Sequence, residues 1–104
     1  MKLHNNCNHG KLISYGFKKY GSIYRLSLPV HKYKEHIVIE CDFEINLSDR
    51  TFSYDVFDNN TQSSYIPYYD TSYSTFKKNT VYKKISKLVD KELKKMINEK
   101  IIAE

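Results

Sequence analysis

The chain has 104 residues, 40% of them hydrophobic and 28% charged, and a formal net charge of +5. These figures point to one folding unit able to bury a core without staples, rather than to two domains or a disordered chain. No uninterrupted apolar run exceeds three residues, as in Ile37-Val38-Ile39, against the roughly twenty of a membrane-spanning helix.

Residues 1–10 are polar, with four asparagines or glycines around His4, Cys7 and His9, and are expected to form a flexible leader to a domain of residues 11–104. They contain no stretch of signal-peptide length, so a cytoplasmic chain with reduced Cys7 and Cys41 is the expectation. His4, Cys7 and His9 offer three zinc donors where a structural site wants four, and Cys41 falls in an apolar row, so no metal is expected. Cys7 in a loose terminus lacks the fixed base that a nucleophile requires.

Residues 11–29 read as a hairpin turning at Tyr20-Gly21, which pairs Phe17 with Tyr24, Tyr15 with Leu26 and Ile13 with Leu28. From His36 to Leu47 the alternation is strict: Ile37, Ile39, Cys41, Phe43, Ile45 and Leu47 share one side of a half-buried strand. The pattern resumes in Phe52, Tyr54 and Val56. Pairing Leu47 with Phe52 and Ile45 with Tyr54 puts all these apolar residues on one face, and sets Asp55 opposite Glu44.

Residues 59–79 show no sustained period and read as a long connection. From about Thr80 to Ile102, Val81, Tyr82, Ile85, Leu88, Val89, Leu93 and Met96 recur at helical spacing, with Asn79 or Thr80 as the cap. The expected fold is α+β: a four-stranded antiparallel β-meander of two hairpins packed against one long C-terminal α-helix. One helix is narrower than four strands, so the tyrosine-rich connection or a second subunit, as in a homodimer, should cover the remaining apolar face.

The charge is unevenly placed. Up to Phe76 eight basic residues balance eight acids, whereas nine lysines face four acids from Lys77 onward, so the whole net charge lies in the C-terminal segment. Lys83, Lys84, Lys87, Lys91, Lys94 and Lys95 occupy an arc opposite the apolar stripe, a pattern that can track phosphates, meet a membrane surface, or simply be solvated. Glu40, Asp42, Glu44 and Asp55 form an acidic ladder, to be read as a solvated face, a surface for a basic partner, or metal ligands. Tyr65, Tyr68, Tyr69 and Tyr73 make a stretch with the composition of binding loops, suited also to stacking bases or covering the sheet.

The scattered Gly10, Gly16 and Gly21 form no phosphate loop, and no catalytic group has a recognisable partner, so neither an enzyme nor a cofactor is expected. With only Arg25 and Arg50 for arginine, base-specific DNA reading is disfavoured. Lysine, asparagine, isoleucine and tyrosine, whose codons are A/T-rich, supply 43 of the 104 residues, which suits a phage or other mobile element. The sequence thus suggests a small non-enzymatic protein-binding module, accessory or inhibitory in role. Non-sequence-specific nucleic-acid binding through the lysine-rich helix is the second reading.

Overall fold

The first ten residues are part of the folded body and not a separate leader. In a computed structural model, which describes residues 1–65 and 80–104 and only the backbone of residues 80–82, strand β1 (Lys2–Leu3) pairs antiparallel with β7 (Ile102–Ala103). Leu3 and Cys7 are buried, which a chain can do only by ordering what connects them. The Arg50 guanidinium completes the tie, donating to the carbonyls of Cys7 at 3.0 Å and His4 at 2.9 Å.

Helix α1 (His9–Tyr15) stands where the first strand of a hairpin was expected. Asn8 caps it, its side chain accepting from the Lys11 N–H at 2.9 Å. Gly16, at φ +123°, ends it: Gly16 N–H bonds to the Ile13 carbonyl and Phe17 N–H to the Leu12 carbonyl, while Leu12 and Phe17 are both buried. This is a Schellman stop with its apolar contact. Only a short hairpin remains, β2 (Lys18–Tyr20) with β3 (Ile23–Tyr33), and it pairs Lys19 with Tyr24 where Phe17 was expected.

The largest hairpin joins β3 to β4 (His36–Asn46) through Lys34-Glu35, both at positive φ, as a two-residue turn matched to the sheet twist demands. β5 (Thr51–Asp58) and β6 (Ser63–Ser64) follow, so the sheet has five strands in the order β2-β3-β4-β5-β6, not four. In β4 and β5, Ile45 faces Phe52, Phe43 faces Tyr54 and Cys41 faces Val56. This register is two residues from the expected one, because Asn46 closes the turn by accepting from the Asp49 N–H and Arg50 adopts φ +57°. A slip of two keeps every side chain on its expected face.

Pro29 lies on β3 beyond the reach of β2. The closing pair Tyr20 and Ile23 directs the odd-numbered N–H positions of β3 toward the β2 side, where proline lacks a donor without breaking the ladder to β4. Together with the register shift between Pro29 and His31, it blunts the exposed edge.

Helix α2 (Thr80–Asn98) lays Ile85, Val89, Leu93 and Met96 on the inner sheet face, against the core that holds Ile39, Cys41, Phe43, Ile45 and Val56. It ends earlier than the apolar pattern, with Lys100 at φ +60° and Ile101 N–H bonded to the Met96 carbonyl. That reversal carries Ile101 and Ile102 back into the core. Leu3, Cys7, Leu12, Ile101 and Ile102 all join the one apolar cluster, so the two ends of the chain cover part of it, and Tyr65 packs against it as well.

Candidate functional site

Strand alternation fixes which side chains leave the core. On the outer sheet face the pairings give three rungs: Arg25, Glu44 and Ser53; Ser27, Asp42 and Asp55; Pro29, Glu40 and Phe57. Asp55 therefore stands opposite Asp42, and not opposite Glu44 as the expected register had it. Glu40, Asp42, Glu44 and Asp55 are all half-buried. They line a groove of about 700 Å³ together with Lys18 and Arg25.

The local bonds are specific. Arg25 Nη2 reaches Glu44 Oε1 at 3.2 Å, an ion pair whose partners are 59% and 38% exposed, so it contributes little in water. Ser27 Oγ donates to Asp42 Oδ1 at 2.7 Å, and Ser64 Oγ to Asp55 Oδ1 at 2.9 Å. Each of these carboxylates thus accepts a hydroxyl bond on the outer face. Burial, and then the neighbouring Asp42 charge, push the Glu40 carboxyl above its ordinary range. Like charges opposed on one rung cost up to about 1 kcal/mol.

The six helix lysines, Lys83, Lys84, Lys87, Lys91, Lys94 and Lys95, are all exposed and share the face of α2 turned away from the core. Lys95 Nζ lies 5.2 Å from the centre of the Tyr15 ring. The Tyr15 hydroxyl in turn donates to Glu92 Oε1 at 2.5 Å, and burial raises its pKa together with that carboxylate. Sequence reasoning missed this junction because it placed Tyr15 in a strand.

His4, Cys7 and His9 diverge into separate roles. His4 Nδ1 accepts from the Asn6 N–H, His9 Nδ1 meets the Tyr24 hydroxyl at 2.6 Å, and Cys7 is buried. Burial raises the Cys7 thiol and pushes Cys41, at the centre of the sheet, up to about 12, so both sit far from the thiolate form. Among the described residues no cluster of His, Cys, Asp or Glu is arranged to hold a metal ion. Tyr65 is half-buried against the core, its N–H bonded to the Val56 carbonyl. Tyr68, Tyr69 and Tyr73 lie outside the described residues. No helix among the described residues is long and apolar enough to cross a membrane.

No family model and no curated protein matches the sequence. Among solved structures the chain is similar to the crystal structure of a DUF1831 family protein from Lactobacillus plantarum, with a TM-score of 0.71 at 15% sequence identity. The likeness covers 97% of this chain and 82% of that one. At this identity it is a likeness of fold, an antiparallel sheet with a long C-terminal helix.

Proposed function

We propose that this chain is a small non-enzymatic binding protein whose outer sheet face receives a basic segment of a partner protein. The observation that carries the reading is the groove itself, whose described lining holds four carboxylates and two cations on the outer face of the sheet. A partner's lysines or arginines would ease the crowding of Glu40 and Asp42, where the charge of the second adds to burial in pushing the carboxyl of the first upward, so association gains at that point. The tyrosine stretch from Tyr65 to Tyr73 belongs to the same reading by composition. Size and A/T-rich coding fit an accessory or inhibitory protein of a phage or mobile element.

Affinity capture from source lysate tests this, comparing the native chain with the combined variant Glu40→Gln, Asp42→Asn and Glu44→Gln, each with and without nuclease. The native chain should retain a basic protein after nuclease digestion, and the variant should lose it without melting at a lower temperature. Equal capture by both, or loss on digestion alone, would refute the assignment.

A further inference from the structure

The positive charge of the molecule runs over a surface wider than one helix. Among the described residues none of the six α2 lysines makes an ion pair. At the C-terminal end of the arc, Lys95 borders a hollow of about 500 Å³ between α1 and α2, lined also by Asn8, Lys11, Ser14, Glu99 and Ile101. Lys11 thus lines the same hollow as Lys95, although the sequence pattern had put it at the start of a strand. Of the acids nearby, Glu92 is engaged by the Tyr15 hydroxyl, Glu99 is the carboxylate on the lining, and Asp90 is exposed on α2 beside Lys83, Lys84 and Lys87.

We propose that this surface, the lysine face of α2 continued across the hollow onto Lys11, docks the phosphate backbone of double-stranded nucleic acid. At about 1.5 Å rise per residue, Lys83 and Lys95 are about 18 Å apart along the helix. Duplex carries one charge per about 1.7 Å, so that span faces on the order of ten phosphates. Both arginines are committed elsewhere, Arg25 to Glu44 and Arg50 to backbone carbonyls. The surface therefore offers point charges that position a backbone and no bidentate reader of guanine, so its binding is independent of base sequence. The acidic sheet face lies across the core from α2 and repels phosphate, which leaves one orientation for docking. This inference stands independently of the protein-binding role of the sheet face.

The test is titration of a labelled duplex with the purified chain at several salt concentrations. Four to five engaged lysines give a slope of log affinity against log salt of about −4, a roughly 250-fold loss between 50 and 200 mM. At physiological salt the dissociation constant should be near 10 μM, whatever the sequence, as for non-specific contacts. The pair Lys11→Gln and Lys95→Gln should make the slope shallower by about 1.8, and Lys87→Gln with Lys91→Gln and Lys94→Gln by about 2.7. Lys32→Gln, at the far hairpin tip, should leave it unchanged. Three results would overturn the proposal: a slope near zero for the native chain, equal effects of Lys32→Gln and the helix variants, or lysine-dependent binding to anionic vesicles with none to duplex. Loss through the α2 lysines with no contribution from Lys11 and Lys95 would overturn the extension across the hollow.

Discussion

Phe43 offers a direct measure of the β4–β5 register, because the two candidate pairings give it different partners. It is fully buried, with its ring 5.8 Å from that of Tyr54 and 6.3 Å from that of Phe52. Truncation to alanine should cost about 3 to 5 kcal/mol, a large part of the 5 to 15 kcal/mol that holds a typical domain together. Replacement by leucine keeps most of the volume and leaves a folded protein for comparison. A double-mutant cycle of Phe43→Leu with Tyr54→Leu should then return a coupling of about 0.5 to 1.5 kcal/mol, the worth of a ring pair beyond its buried area. Val56 faces Cys41 and is only a diagonal neighbour of Phe43, so the cycle of Phe43→Leu with Val56→Ala should return less. Urea denaturation followed by circular dichroism supplies the four stabilities of each cycle, compared at a common slope. A larger coupling to Val56 than to Tyr54 would refute the register, and with it the placing of Asp42 opposite Asp55.

Two further outcomes follow from the chain ends and from the acidic face. Deleting residues 1–8 removes buried Leu3 and Cys7, the pairing with β7 and the carbonyls that hold Arg50, so thermal melting should show a loss of about 5 kcal/mol or more and a largely unfolded chain. Melting at the full-length temperature would show that the terminus only decorates the fold. Glu40 has its folded pKa raised above the ordinary 4.5, so its ionisation disfavours the fold and its share of stability is lost as pH rises from 4.5 through the raised value. Denaturation between pH 4 and 7 should therefore show Glu40→Gln gaining on the native protein as pH rises, and a constant difference would contradict the burial and the Asp42 contact that raise it.

The inner face of β4 and the helix α2 were legible in the sequence because each has a long, unbroken period. Ile39, Cys41, Phe43 and Ile45 keep a period of two, and Ile85, Val89, Leu93 and Met96 keep that of a helix, so the buried side of both elements was fixed before any pairing was known. The register was not, since a shift of two residues preserves every face and only the turn chemistry of Asn46, Asp49 and Arg50 decides between the options. Helix α1 was hidden for a different reason. Over Lys11 to Phe17 the apolar residues fit a strand through Ile13, Tyr15 and Phe17, while the fold buries Leu12 and Phe17 and leaves Ile13 46% exposed. Seven residues are too few for periodicity to separate helix from strand, and the cap at Asn8 with the stop at Gly16 carried the information instead. The role of the N-terminus was illegible because Leu3 and Cys7 are isolated apolar residues held by partners distant in the chain, Leu3 by Ile102 and Cys7 by Arg50.

The separation of charge follows from those same two periods. Alternation on β4 sends Glu40, Asp42 and Glu44 outward because Ile39, Cys41, Phe43 and Ile45 point inward. The helical period sends the lysines outward because Ile85, Val89, Leu93 and Met96 seat α2 on the opposite side of the same core. One apolar layer thus holds an acidic and a basic surface apart, too far across the core to neutralise each other, and each keeps its field for a partner. What the sequence could not supply was the continuation of the basic surface onto α1. Lys11 and Lys95 are 84 positions apart in the chain, and their elements come together through the Tyr15–Glu92 hydrogen bond, the ring contact of Lys95 with Tyr15 and the shared core that holds Leu12 and Leu93. A charged site assembled from two helices in this way has no local signature, since neither its lysines nor the tyrosine that joins them is distinguishable by spacing from the other lysines and tyrosines of the chain.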